Sequence, residues 1–404
     1  MNSTFVSPGL TAALFWVSVG SIFYTYFGYP LLIFFLARLF RRPFRLSKSD
    51  APGVTLLIAA YNEEAVIRDK IRNSLDIDYP HDRYQILVVT DGSSDSTAER
   101  VAEFAARGVE LLHEAERRGK MAAINRALPH ARGEVVVFSD ANNFYGRETL
   151  QRLVAPFGDT EVGAVSGAKM VEQDEGSLAA SEGLYWKYES FIKKQESALG
   201  SCTSASGEIL ALRRSAYRRP PDNIINDDFY IAMQAVRQGY RLVYVPEATS
   251  WERVSPTPKD ELVRRTRINA GRYQSIAMAG EILPFNRPVL VWQILSHKFL
   301  RPLVPFFMIS AMIFNVLAVL NPPASHAFWL LGMPWSAILL GFQVLFYGMA
   351  WLGTRYAGAK RKGRFMKLLY LPSFLTNSNL AALQGLAKYL RGGQFHIWER
   401  IQRG

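Results

Sequence analysis

Cys202 is the only cysteine in 404 residues. That count excludes an intramolecular disulfide and a cysteine-based zinc cluster, and it suits a reducing compartment. Acid is almost missing from the flanks: outside residues 50–281 there are 18 Lys and Arg against one acid, Glu399. Inside those limits 34 acids outnumber 29 bases, so the net charge of +12 belongs to the flanks. The middle lacks the clustered basic surface that tracks a phosphate backbone, and no nucleic-acid partner is expected. With 20% charged and 49% apolar residues, disorder is excluded and a large core is affordable.

Charge is also missing from long stretches. Residues 1–37 contain no Asp, Glu, Lys or Arg, and 10–36 suffices as a helix for a bilayer core of about 30 Å. No basic region precedes this run and no clear small-residue cleavage site follows it, which favours an uncleaved anchor over a signal peptide. Arg38, Arg41, Arg42, Arg45 and Lys48 come next and place the N-terminus outside and the middle domain in the cytosol. A second uncharged stretch, 302–354, is broken at Asn321-Pro322-Pro323 and reads as a helical hairpin. Arg355, Lys360, Arg361, Lys362, Arg364 and Lys367 return the chain to the cytosolic side. Residues 368–387 are uncharged but polar in places, with Pro372, Asn377, Asn379 and Gln384, and their depth stays open. Residues 282–301 fit an interfacial helix or a soluble core helix. The expected organisation is a membrane helix with a basic flank (1–45), a cytosolic domain (46–281), and an interfacial helix, hairpin and C-terminal membrane segment (282–404).

Within the middle domain, strand-like runs at 54–60, 85–90, 109–113, 134–139 and 162–167 alternate with helical periodicity. This is an α/β pattern with a mostly parallel sheet, in which ligands sit at the carboxyl ends of strands. The residues there are Tyr61-Asn62-Glu63-Glu64, Asp91-Gly92-Ser93-Ser94-Asp95 and Asp140-Ala141-Asn142-Asn143. Helix capping explains any one of them, Asp95 in particular. Three acidic loops at one sheet edge repel unless compensated, and a hard divalent cation holding a diphosphate is a natural occupant.

These motifs, with Arg118-Gly119-Lys120, Ala123-Ile124-Asn125, Ser206-Gly207-Glu208, Asn226-Asp227-Asp228-Phe229 and Arg264-Arg265-Thr266-Arg267-Ile268, resemble in order and spacing those of the membrane-integrated family 2 glycosyltransferases of GT-A fold, such as cellulose, hyaluronan and poly-N-acetylglucosamine synthases. The resemblance covers about residues 50–280 and implies a metal-dependent, inverting hexosyltransferase. It implies that Tyr61, Glu63, Asp91 and Lys120 bind the donor nucleotide, usually UDP-linked. Asp140 and Asn142 would hold Mg²⁺ or Mn²⁺, Asn142 standing where a second Asp is usual. By the same resemblance Asp228, with Asp227 beside it, is the general base, and Arg264 and Arg267 clamp the leaving diphosphate. Helix caps, solvated surface arginines and lipid anchors are the plain alternatives.

Ile268 replaces the Trp that normally ends the last motif and so removes a stacking platform for an acceptor sugar. A polymer-extending enzyme with coupled secretion is expected, with a non-processive transferase to a lipid acceptor as the alternative. Tyr273 and Trp251 are candidate replacement platforms, and Cys202 reads as a packed small residue. Trp398-Glu399-Arg400 resembles an ending common among bacterial relatives, and the basic, compact, span-poor layout looks bacterial, so the bacterial inner membrane is the expected location. A homo-oligomer or secretion partner would supply a pore. A nucleotide-sensing transporter is disfavoured, because the spans are few and carry no charged residue for an ion relay.

Overall fold

The computed structural model describes residues 7–46, 51–171, 177–252, 258–356 and 364–392. Lys360, Arg361, Lys362 and Trp398-Glu399-Arg400 lie outside them.

Eight strands, β1 (Val54–Ala60), β2 (Tyr84–Asp91), β3 (Val109–Glu114), β4 (Val135–Asp140), β5 (Asn143–Tyr145), β6 (Val162–Val171), β7 (Leu210–Arg213) and β8 (Arg241–Glu252), form one sheet in the order β3-β2-β1-β4-β7-β6-β8-β5. The first four pair in parallel, in register Val54 with Tyr84 and Val135. β7 runs antiparallel between β4 and β6, whereas β6 and β8 are parallel. The five expected strands are present; β5 and β8 carried no separate signal.

Alternation along the strands explains the layering. Leu57, Val136 and Phe138 enter one core, whereas Leu56, Ile58, Val135 and Val137 enter the other. A sheet buried on both faces needs such near-continuous apolar strands.

Eight helices carry the rest of the argument: α1 (Pro8–Leu39), α2 (Lys120–Ala127), α3 (Ser177–Leu199), α4 (Asp227–Arg237), α5 (Pro258–Ala277), α6 (Pro288–Leu320), α7 (Trp335–Arg355) and α8 (Arg364–Leu390). By length and composition α1, α6 and α7 are long and apolar enough to cross a membrane. Ser18 donates to Ser310 at 2.8 Å and Trp16 to the Trp329 carbonyl at 3.0 Å, which ties α1 to the hairpin.

The interfacial helix expected at 282–301 is not a separate element. α6 runs from Pro288 through it into the hairpin, because Leu290, Ile294 and Phe299 are drawn into the sheet's own core. α8 contains Pro372 and packs along α5. Two of its polar residues serve that contact: Arg265 donates to Ser378 at 2.7 Å and Thr266 to Gln384 at 3.1 Å.

Candidate active site

The strand ends are stitched together before they present any chemistry. Asn62 sits at φ 52°, its backbone N–H donates to Ser93 at 3.1 Å, and its side-chain oxygen accepts from the Ser94 N–H at 2.8 Å. Asp95 accepts from the backbone of Thr97 at 3.0 Å and of Glu64 at 3.2 Å, so it holds the turn. Gly92 is at φ +67° with Arg117 against it, and a Cβ there would come within 2.5 Å of the Arg117 side chain. No other residue fits that turn without displacing Arg117. The Arg117 guanidinium lies 3.6 Å from the Tyr61 ring centroid, a cation–π contact that no sequence motif signalled.

All ten predicted site residues line one cleft of ≈ 1210 Å³: Tyr61, Glu63, Asp91, Lys120, Asp140, Asn142, Asp227, Asp228, Arg264 and Arg267. Asp91, buried at the end of β2, accepts from the backbone N–H groups of Arg118 at 3.0 Å and Gly119 at 2.6 Å. It thereby orients the turn that starts α2, at whose first position stands Lys120.

Lys120 joins the two halves of the domain. Its ammonium lies 2.7 Å from Asp140 at the end of β4 and 3.1 Å from Asp227 at the start of α4. Burial opposes its charge, but Asp140 and Asp227 outweigh burial and hold it above the ordinary lysine range.

Asp228 is the carboxylate least compensated by that arrangement. Burial first, and then Asp227, push it up to about 6, although the Phe229 backbone N–H donates to it at 2.7 Å. A carboxylate near that value is deprotonated at neutral pH and basic enough to take a proton. The capping alternative fits the geometry less well. Asn226 occupies the cap position of α4, and both aspartates lie in its first turn.

Arg267 is lowered by burial and opposed by Asp227 and Asp140. Arg264 is already bound to Glu261 on the preceding turn, at 2.8 Å and 3.0 Å. Against burial, Arg264 and Arg265 hold the Glu261 carboxyl down at about 2. Arg264 therefore reaches the cleft as part of an ion pair, which the i, i+3 spacing permits.

The fit of a divalent cation follows from the donor set. Asn142 donates its amide N–H to Glu252 at 3.3 Å, leaving the amide oxygen as its other polar end. Among the described residues no group of three or more His, Cys, Asp or Glu is spaced to hold a metal. Asp140 and Asn142 supply two ligating side chains, a partial shell of the kind a hard cation completes with a diphosphate and water. Glu252, Lys169 and Glu208 form a further ion-pair cluster on the cleft wall. Only Glu208 belonged to a motif.

Two expectations fail. Tyr273 is buried, donates to the Pro302 carbonyl at 2.6 Å, and is no platform for a sugar. Trp251 lies outside the cleft, whose aromatic lining includes Tyr185, Trp186 and Tyr188 on α3. Cys202 is buried, its thiol pushed up to about 12 by burial, and is no nucleophile.

With this geometry in hand, comparison with known proteins is specific. A beta-monoglucosyldiacylglycerol synthase of Trichormus variabilis is 32% identical over 214 residues, covering 51% of this chain and 46% of that protein. A poly-beta-1,6-N-acetyl-D-glucosamine synthase of Staphylococcus aureus is 26% identical over 251 residues, covering 61% and 59%. The chain thus spans about half the length of the curated relatives it matches. Among solved structures, a mannosyltransferase of Pyrobaculum calidifontis, in complex with GDP-Man and Mn²⁺, superposes with a TM-score of 0.67 over 92% of this chain and 99% of that one at 24% identity, and shares the fold. Residues 52–270, more than half of the chain, match the profile of the glycosyltransferase-like family 2, and to that family this protein belongs.

Proposed function

We propose that this chain is a membrane-bound inverting glycosyltransferase that moves one hexosyl unit from a nucleotide sugar, UDP-linked in the first instance, to an acceptor carried by a lipid. The observation that carries this reading is Asp228, held at about 6 in the same cleft as the Lys120 bridge between Asp140 and Asp227. The acceptor hydroxyl gives its proton to the Asp228 carboxylate as its oxygen bonds to the sugar C1. The bond from C1 to the diphosphate oxygen breaks on the opposite face, and the electron pair leaves with the nucleoside diphosphate. Lys120 and Arg267 face the charge that develops there, and charged hydrogen bonds of this kind contribute about 1.5 to 3 kcal/mol each. Asp140 and Asn142 would hold Mg²⁺ or Mn²⁺, which supplies further charge neutralisation at the diphosphate when bound.

Single addition is preferred because Ile268 offers no ring to stack a sugar. A processive reading has one observation in its favour, the Tyr185, Trp186 and Tyr188 lining. The supported arrangement is an integral protein of the bacterial plasma membrane, with its catalytic domain cytosolic and its N-terminus outside.

The test is nucleotide release by the purified chain in nanodiscs, with UDP- and GDP-sugars, Mg²⁺ or Mn²⁺ or chelator, and a lipid extract as acceptor source. Release that requires metal, falls at least about a hundredfold in Asp228→Asn, and gives a lipid larger by one hexose by mass agrees with the proposal. A polymeric product sinks single addition, and release unaffected by Asp228→Asn sinks the assigned base.

A further inference from the structure

Away from the sheet edge the cleft continues to a second concentration of charge that the transfer chemistry does not use. Lys193 on α3, Arg272 on α5, and Lys298 and Arg301 on α6 all line it. Lys298 lies within Coulombic range of the other three. Lys193 is buried and donates to Ser206 at 2.9 Å, and Lys298 donates to Ser204 at 2.5 Å.

The carboxylates nearby do not balance these cations. Glu196 is taken up by Tyr29, Thr203 and His297. Glu189 is shared between His297, at 3.3 Å, and the Nη1 of Arg301. The Arg301 side chain is only 9% exposed; the Tyr188 ring lies 5.5 Å from its guanidinium carbon, and its Nε and Nη2 have no acceptor in hydrogen-bond geometry among the described residues. Buried guanidinium donors without acceptors are costly, and a phosphate, which matches their planar fork, is the partner that relieves them.

The same end of the cleft has an apolar wall. Phe27 on α1 and Leu371 and Phe374 on α8 face it, and α1 is one of the three helices able to cross a membrane. An anion bound here would have these apolar side chains in the same cleft.

We infer that this inner end of the cleft binds the phosphoryl group of a lipid phosphate or diphosphate, the carrier of the acceptor. The role as carrier rests on the transferase reading; the binding itself does not.

The experiment measures binding of radiolabelled farnesyl diphosphate to the full chain in phosphatidylcholine nanodiscs, with UDP and Mn²⁺ saturating so that the donor diphosphate site is filled. Farnesol and inorganic phosphate serve as competitors. The expected result is that farnesyl diphosphate binds, that neither competitor displaces it at comparable concentration, and that Arg301→Gln and Lys298→Gln each weaken it roughly ten- to a hundredfold while UDP affinity is kept. Should Arg301→Gln lose UDP affinity as well, Lys298→Gln and Arg272→Gln decide.

Displacement by farnesol at equal concentration, by inorganic phosphate at equal concentration, or unchanged binding in the variants that retain UDP affinity overturns the inference. Because no sugar is transferred in this measurement, binding without transfer from any donor sinks only the transferase reading. Transfer without this binding sinks only the lipid-phosphate site.

Discussion

At position 228 a carboxylate is buried beside another carboxylate, and burial, repulsion by Asp227 and attraction by Lys120 together decide its proton affinity. Two consequences belong to this residue. As a base it must be ionised, so kcat/KM for sugar transfer rises with pH through about 6 and levels above it; a pH–rate profile flat from 5 to 8 contradicts the assignment. The second concerns stability. A carboxyl whose folded pKa lies above its unfolded value contributes stability that is fully present below about 3.9 and lost as pH rises through about 6. The ionised form therefore strains the fold at neutral pH. Asp228→Asn is expected to melt a few degrees above the parent at pH 7.5, with the difference vanishing near pH 4, as read by thermal unfolding in detergent. A variant less stable at pH 7.5 argues that the Phe229 hydrogen bond outweighs burial.

At the scale of elements, α4 carries the acids and α5 the arginines, and the approach of the two helices sets the site. Gly271 on α5 allows it: a Cβ there would come within 2.5 Å of the Asn226 side chain, which donates to the Ile268 carbonyl at 3.1 Å immediately before Asp227. Gly271→Ala is expected to keep the fold, to lower kcat by about a factor of ten or more by displacing Asp228, and to change nucleotide affinity less. Equal losses in kcat and in UDP affinity would show instead that the whole cleft opens. The arginine motif was legible as a helical face, but its internal pairing was not. Nothing in the spacing of Arg264 and Arg267 indicated that Glu261, one turn earlier, engages Arg264 and Arg265 first.

At the scale of the molecule, charge asymmetry and three apolar helices predict a topology that the single buried cysteine makes easy to read. Cys202 is silent to a membrane-impermeant maleimide, so introduced cysteines report alone. Ser325→Cys, in the turn between α6 and α7, is expected to label in intact cells, and Ser94→Cys, beside the strand ends, only after lysis. The reverse pattern would invert the orientation, and labelling of both in intact cells would remove the spans.

Features set by local chemistry were legible along the chain: uncharged stretches long enough for a bilayer, apolar runs that become strands, and polar residues where those strands stop. Each depends on neighbours in sequence, and hydrophobicity or backbone preference acts on it directly. Even the convergence of Asp91 and Asp140 was implied, since parallel strands end at one edge; Asp228, in the first turn of α4, reaches them only through tertiary packing. What depends on residues far apart was hidden. The Lys120 bridge joins α2 to β4 and α4, Ser378 and Gln384 of α8 bond to α5, and Lys193, Lys298 and Arg301 gather at the inner end of one cleft. No periodicity announces a charge in a helix that will find its neighbours more than a hundred positions away. Only the packing of α3 against α1 and α6 decides whether such a charge is a solvated anchor, a paired strut or a binding group, because burial and the count of opposite charges are properties of the assembled site.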